Sequence, residues 1–416
     1  MGRRTGYPVI EVDGALVADT SRSLTGEDTT AGQASPVVAG LGVKRRYLDR
    51  ANEGDTGSLM AVAPTLAFSA ANAATGIASS VLVGPTVGGV IPVAGSPYRY
   101  NSSLWQVFGG NNAYTQIKPI STNAQPGQGQ VEFWSDADKL EIVLKGGGNT
   151  CRVMIDGKLP TFVPQAIPGD GSDYRLLLDF TTAGGAIGRH FSLWGTGLYF
   201  RGVQQLSRFG LTVPPRPRGL RCVVAGDSYV SANGAQNDAF SVRMARRLGF
   251  SDSVMLGVPS SGYVALGNSV NYGHVTRLAD VVQYAPDLVV VYGTINDNNL
   301  AGVGVAAAAY FAALRSALPS TVIVVVGPVD HNGASTASLI STVRDPVRVA
   351  ALAAGFSFVD PLTILTGTGN AGAPNGTGNR DRYLSSDGVH PTTEGHEYIA
   401  QRITAEIEPL LQAKFS

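Results

Sequence analysis

The apolar positions of this chain change rhythm along its length. From about residue 218 onward, short apolar runs recur: LRCVVA at 220–225, VMLG at 254–257, DLVVVY at 287–292, TVIVVV at 321–326 and FSFV at 356–359. Between them lie segments of helical period near 238–248, 274–284, 303–317, 336–354 and 392–413. Near-continuous Val runs mark strands buried on both faces, and their alternation with helices predicts an α/β fold with a doubly wound parallel sheet in three α/β/α layers. In such a sheet ligands bind beyond the carboxyl ends of the strands, so chemistry is sought just after each one.

Residues 98–212 have a different texture. Leu140, Ile142 and Leu144 alternate with Glu141, Val143 and Lys145, the period of a half-buried strand. CRVMI leads to Asp156-Gly157, a dipeptide suited to a type I′ hairpin turn, with KLPTFV beyond it. YRLLLDF and SLWGTGLYFRGV read as further strands, and no helical period interrupts them. An antiparallel β-sandwich or jelly roll is expected here. LTVPPRPRGL, with Pro214, Pro215 and Pro217, is a stiff linker. The expected organisation is therefore an N-terminal arm over 1–97 (polar, then Gly/Ala-rich, partly flexible), a β module over 98–213 and an α/β domain over 218–416.

Residues 61–98 carry no charge, but Pro64, Asn72, Gly76, Pro85, Gly88, Gly89 and Pro92 cut every apolar run well short of the ~20 residues of a membrane span. Irregular or short-strand structure is the expectation there. The opening residues, MGRRTGYPVIEVDGALVADT, contain no apolar core of a Sec-type signal. That leaves cytoplasmic, virion-associated and extracellular locations open. Lys and Arg number 31 against 31 Asp and Glu, so no basic excess points to nucleic acid or an anionic membrane. Cys151 and Cys222 lie far apart in apolar runs and read as two buried thiols.

Polar residues follow the strands in turn. Gly226-Asp227-Ser228-Tyr229 follows the first, and Gly257-Val-Pro-Ser-Ser-Gly262 the second. Gly293-Thr-Ile-Asn296-Asp297 follows the third, and Gly327-Pro-Val-Asp330-His331 the fourth. After the fifth, beyond the loop TGTGNAGAPNGTGNR, come Asp387-Gly-Val-His390 and Pro391, placed to open the last helix. A serine, glycine backbone, a side-chain amide and an Asp/His pair on one sheet edge form the inventory for acyl transfer. A serine hydroxyl needs an imidazole to take its proton, and the imidazole needs a carboxylate to fix its tautomer. Asp387 and His390 are close enough in sequence for their side chains to face the same way. Backbone N–H groups of Ser228 and Gly262 and the Asn296 amide could hold the negative oxygen of a tetrahedral intermediate.

These residues resemble the SGNH hydrolases, or GDSL-type esterases. Gly226-Asp227-Ser228 is similar to the family's nucleophile block and Asp387-x-x-His390 to its terminal block, while Gly262 and Asn296-Asp297 resemble the second and third. The resemblance covers about 218–413. It implies Ser228 as nucleophile, His390 as general base then acid, Asp387 as its orienter, and Ser228, Gly262 and Asn296 as the oxyanion hole, with no metal and no cofactor. The family usually shows Gly-x-Asn-Asp, whereas Gly293 and Asn296 are separated by one residue more. The segment VEFWSDADKLEIVLKGGGNTCRVMIDGKL resembles the accessory jelly roll of two-domain carbohydrate esterases.

Bland alternatives exist for each feature. Ser228 alone reads as a helix N-cap, and Asn296-Asp297 as an ordinary turn pair. His331, His274 and His190 read as turn, helix-start and surface residues. His396-Glu397 begins an HExxH pattern, but Ala400 stands where the second histidine is needed, so a zinc site is excluded. Trp105, Trp134 and Trp194 fit core packing better than sugar stacking. The expected activity is removal of small acyl groups, mainly acetyl, from a carbohydrate. The alternatives are a lipid, aryl-ester or thioester hydrolase with the same triad, and a phage-tail or surface glycan-binding module. The N-terminal arm is compatible with homo-oligomer or virion assembly.

Overall fold

The computed structural model describes residues 9–12, 15–18, 59–85, 96–101, 105–108, 116–119, 128–161, 163–196, 198–214, 220–231, 239–250, 252–267, 270–331, 333 and 336–415. The chain divides into two compact units, one of Ser58–Arg216 and one of Pro217–Ser416 together with Met1–Gly57.

The α/β unit runs β1 Arg221–Gly226, α1 Phe240–Arg247, β2 Asp252–Gly257, α2 Val275–Val282, β3 Leu288–Tyr292, α3 Val303–Ala317 and β4 Val322–Val326. Then come α4 Thr336–Leu339, a π turn Ile340–Arg344, α5 Asp345–Ala353, β5 Ser357–Val359, α6 Arg380–Tyr383 and α7 Thr393–Phe415. These five strands form one sheet in the order β2-β1-β3-β4-β5 with every pair parallel, while Val9–Val12 and Ala15–Ala18 form a separate antiparallel pair. The order reverses at β1, which places the ligand crevice beyond the carboxyl ends of β1 and its neighbours. Val223, Ala225, Val289, Val291 and Val325 pack in one core with residues of α2, α3 and α5. Their alternate neighbours Cys222, Val224, Val290 and Val324 are equally buried, with α1 and α7 packed together and α7 also against β4 and β5. This double burial is why the strands read as unbroken Val runs.

The other unit contains two antiparallel sheets. One orders Gln165–Ile167, Asn149–Ile155, Arg189–Thr196, Gln128–Ser135 and Leu211–Thr212, and the other Thr65–Phe68, Asp173–Asp179, Lys139–Lys145, Phe200–Gln205, Gln116–Pro119 and Trp105–Phe108. Phe133, Phe191, Leu193 and Val153 of the first share a single core with Leu140, Ile142, Leu144, Leu178 and Phe200 of the second. Asp156 and Gly157 both have positive φ (49° and 76°), the requirement of the type I′ turn. Among the described residues of KLPTFV, Lys158 and Leu159 form isolated bridges and Pro160 follows, with no named strand there. SLWGTGLYFRGV is two strands, Arg189–Thr196 and Phe200–Gln205, one in each sheet.

Two expectations are corrected here. Thr65–Phe68 pairs with Leu176–Asp179 and Val81–Val83 with Val203–Gln205, so these short strands belong to the sandwich unit and not to an arm ending at residue 97. Glu141 and Val143 are buried, not solvent-facing. Glu141 accepts the Gly76 N–H (2.7 Å) and lies 3.4 Å from Arg175 Nε, because the segment around Gly76 covers that face. Trp194 is fully buried and Trp134 half-buried. The Trp105 side chain and most of residues 1–57 lie outside the described residues. Both cysteines are buried and free, and burial pushes the Cys151 thiol up to about 12. Among the described residues no helix is long and apolar enough to cross a membrane.

Candidate active site

Ser228 stands in the turn that leaves β1. A Cβ on Gly226 would lie 2.5 Å from Val230 Cγ2 and 3.1 Å from the Tyr292 carbonyl oxygen, so the strand can end against β3 only with glycine there. The Asp227 carbonyl accepts the Val230 and Ser231 N–H groups (3.2 and 3.1 Å), and its Oδ1 accepts the Tyr229 N–H at 3.0 Å. Asp227 therefore closes this turn, and Ser228 Oγ lies 2.9 Å from His390 Nε2. The Ser228 N–H has no acceptor among the described residues.

The second half of the site is built locally. Asp387 Oδ1 accepts the Val389 and His390 N–H groups (2.8 and 2.9 Å) and the Ser385 hydroxyl (2.7 Å), closing a tight loop in which Gly388 takes φ 70°. Its Oδ2 is left for His390 Nδ1 at 2.7 Å. The Tyr229 hydroxyl donates to the Val389 carbonyl at 2.5 Å and ties this loop to the Ser228 turn. Pro391 precedes the last helix without opening it. It bridges to Leu384, and α7 starts at Thr393. Burial works to raise the Asp387 carboxyl. The hydrogen bonds from His390, Val389 and Ser385 outweigh it and hold the group well below the usual carboxylate range. It stays ionised and fixes the imidazole with Nδ1 protonated, leaving Nε2 to accept from Ser228.

The structure brings Asn296 and Gly262 to the same edge with part of their capacity spent. Asn296 Nδ2 donates to the Ser261 carbonyl at 2.9 Å and, over a longer 3.4 Å, to Asp227 Oδ2, so both of its hydrogens have acceptors. The single Gly262 N–H is donated to Ala265 O at 3.0 Å. The glycine serves another need: a Cβ there would lie 2.4 Å from Asp297 Oδ1. Buried Asp297 accepts the N–H groups of Tyr263, Val264 and Ala265 (2.6, 3.1 and 2.8 Å), so it holds the loop after β2 and is more than a turn residue. The residue extra to Gly-x-Asn-Asp makes room for Thr294, whose hydroxyl donates to Asp227 Oδ2 (2.7 Å) and lies 3.2 Å from Ser261 O.

The remaining histidines separate cleanly. His274 caps α2 through Nδ1, and buried His396 Nδ1 accepts the Phe240 N–H at 3.0 Å. His190 lies 3.6 Å from Glu132 in the sandwich unit. His331 is half-buried, and burial lowers its pKa, with smaller effects from Asp330, Arg380, His390 and Asp387. Among the described residues no cluster of three or more His, Cys, Asp or Glu could hold a metal ion.

Sequence reasoning missed Asp227 as an electrostatic element. Its carboxylate is wholly buried, and burial pushes it up to about 6, against hydrogen bonds from Thr294 and Tyr229 and the charges of His390 and Arg277. The folded protein thus holds this proton more tightly than the unfolded chain, where the ordinary value is 3.8. The resulting stabilisation is complete below about pH 4 and is lost as pH rises through about 6. Asp227→Asn is expected to remove that part of the slope, so variant and wild-type melting temperatures should converge or cross between about pH 4 and 6.5. Parallel pH curves for the two proteins would contradict the assignment.

Residues 224–398 match the GDSL-like lipase/acylhydrolase family. The matched stretch contains the Gly226-Asp227-Ser228 turn and four of the five strands of the parallel sheet entire, so this part of the chain is similar to a GDSL-like lipase/acylhydrolase domain. A GDSL lipase of Mycobacterium tuberculosis is 27% identical to it over 228 residues, which span 50% of this chain and 94% of that protein. A salicylyl-acyltransferase from a tetracycline biosynthetic pathway shares the fold, with a TM-score of 0.51 at 16% identity over 80% of this chain and 98% of that one. A family two carbohydrate esterase from Clostridium thermocellum superposes with a TM-score of 0.47 at 19% identity, over 69% of this chain and 94% of that one.

Proposed function

We propose that this chain is a serine esterase that removes small acyl groups, chiefly acetyl, from a carbohydrate through an acyl-enzyme intermediate. The observation that carries this reading is the continuous line Ser228 Oγ–His390 Nε2 (2.9 Å) and His390 Nδ1–Asp387 Oδ2 (2.7 Å). His390 takes the Ser228 proton as Oγ attacks the acyl carbon, and Asp387 stabilises the imidazolium. The oxyanion is received by the Ser228 N–H and by Asn296 Nδ2, which gives up its long 3.4 Å bond to Asp227 Oδ2 to do so, with the glycine at 262 letting the loop approach. His390 then protonates the leaving alcohol, and water repeats the sequence in reverse to release the acid.

The carbohydrate side rests on the loop 366–380, which is exposed, built of Gly, Thr and Asn, and cross-bonded by its own side chains. Thr368 N–H donates to Thr377 Oγ1 (2.9 Å), Thr366 N–H to Asn379 Oδ1 (2.8 Å), and Asn375 N–H to Asp381 Oδ2 (2.8 Å). Polar walls of this kind suit a hydroxyl-rich substrate. A second reading, hydrolysis of longer acyl or aryl esters, is favoured by Leu266 and Leu300, exposed on the loops that carry Gly262 and Asn296. Acetate release from a panel of acetylated polysaccharides, set against turnover of medium-chain acyl esters, separates the two. Preference for the medium-chain esters overturns the carbohydrate reading. Asn296→Ala is expected to lower kcat on the preferred ester on the order of 10²–10³-fold. An unchanged rate removes the amide from the oxyanion site.

A further inference from the structure

We propose that Arg277 is a positioning residue for the ester-cleaving reaction, its buried guanidinium setting the Ser228 turn and the Asn296 amide at the spacing an oxyanion needs. The proposal rests on the serine-esterase reading above. Arg277 lies on α2 and is 5% exposed. Nη2 donates to the carbonyls of Gly226 and Leu256 (2.9 Å each), the ends of β1 and β2, and Nη1 donates to Ser261 Oγ at 2.8 Å. The cation also lies 4.9 Å from the centre of the Tyr272 ring.

Each acceptor leads to a part of the site. Gly226 is two residues before the nucleophile, and its carbonyl also accepts the Val258 N–H at 3.0 Å, so one oxygen locks β1 to the loop after β2. Ser261 passes the constraint on: its hydroxyl donates to Val258 O (2.7 Å), and its carbonyl is the acceptor that orients Asn296 Nδ2. The Thr294 hydroxyl lies 3.2 Å from the same carbonyl and gives its one proton to Asp227 (2.7 Å) beside the nucleophile. A chain of hydrogen bonds thus runs from Arg277 to Ser261, whose carbonyl holds Asn296, and from the Asn296 N–H through the Thr294 hydroxyl to Asp227, the residue after Gly226.

Stability alone is a poor reason for this arrangement. Burying a guanidinium is costly, and among the described residues its hydrogen bonds go to neutral oxygens rather than to a carboxylate. What a planar fork of five donors supplies, and an ammonium or an apolar side chain does not, is several acceptors held at fixed mutual distances. Those acceptors are the ends of the two strands whose loops carry Ser228 and Gly262.

The test measures kcat and KM on 4-nitrophenyl acetate for Arg277→Met, Arg277→Lys and Ser261→Ala, with melting temperature recorded for each. Arg277→Met is expected to lower kcat about 10- to 100-fold at nearly constant KM, because the groups displaced act in the transition state and not in ground-state binding. Arg277→Lys should recover part of that loss. Ser261→Ala removes one arm and should cost a few-fold in kcat while melting close to wild type, so it decides the matter where the Arg277 variants fail to fold. Folded variants with wild-type kcat, or with a raised KM and unchanged kcat, overturn the proposal. Ser228→Ala, run alongside, reports separately on the reading beneath it, since activity retained there sinks the serine mechanism whatever Arg277 does.

Discussion

Ser228→Ala is expected to lower kcat by a factor on the order of 10⁴ or more while the protein folds and melts as wild type does. The substitution removes one hydroxyl whose partner among the described residues is His390 Nε2 at 2.9 Å. The turn itself is held by the Asp227 carbonyl and carboxylate, neither of which depends on the serine side chain. The backbone N–H of residue 228 survives as an oxyanion donor, so residual activity should stay above that of water alone. Steady-state rates on an acetyl ester, with melting curves as the fold control, check this. A variant that keeps even a tenth of wild-type turnover moves the nucleophile elsewhere.

The second large effect is at His390. His390→Ala should cost about as much as Ser228→Ala, and the double variant should be no worse than either single one, because hydroxyl and imidazole act as one proton-transfer unit. Additive losses would mean that the two groups serve separate steps. Structural damage is not expected to confuse the result. The loop 385–390 is closed by Asp387 Oδ1 and by Ser385 N–H donating to the His390 carbonyl at 2.8 Å, and none of those bonds uses the imidazole. Loss of His390 also strips Asp387 of one of the bonds that depress it, so its carboxyl should titrate higher in the variant.

The conflict at Asp227 shows how this site trades stability for geometry. A buried carboxylate held near 6 is partly a cost to the folded state at neutral pH. It persists at a point where Thr294 and the Tyr229 N–H converge, next to Ser228. Sites that hold charges and amides in fixed array commonly give up stability in this manner.

The legibility of this molecule from its sequence is uneven for reasons that can be traced residue by residue. The runs LRCVVA, DLVVVY and TVIVVV place β1, β3 and β4 within a residue because double burial in a parallel sheet imposes one composition on every position. Asp387-Gly-Val-His is readable as a unit because the bonds made by the Asp387 carboxylate close within six residues. By contrast, Thr65–Phe68 and Val81–Val83 were not assigned to the sandwich, since their partners lie more than 100 residues away and short apolar strands leave no period to count. Glu141 looked solvent-facing for a related reason: the segment that buries it is remote in sequence. Arg277 gave no signal, because an arginine on a short amphipathic helix normally faces water.

The amino-acid order thus determined the alternation of strands and helices, the edge at which polar residues gather, and the local loop that aims one carboxylate at one imidazole. These follow from short-range sterics, burial period and hydrogen bonds spanning a few residues. Only the tertiary structure decided that Ser228 and His390, 162 positions apart, come within 2.9 Å. It also decided that Gly262 spends its N–H on Ala265, that Asn296 is oriented by Ser261, and that Arg277 joins two strand ends beneath them. Which donors remain available, and to what, depends on packing among segments distant in the chain, and that packing is a property of the whole core and not of any local window.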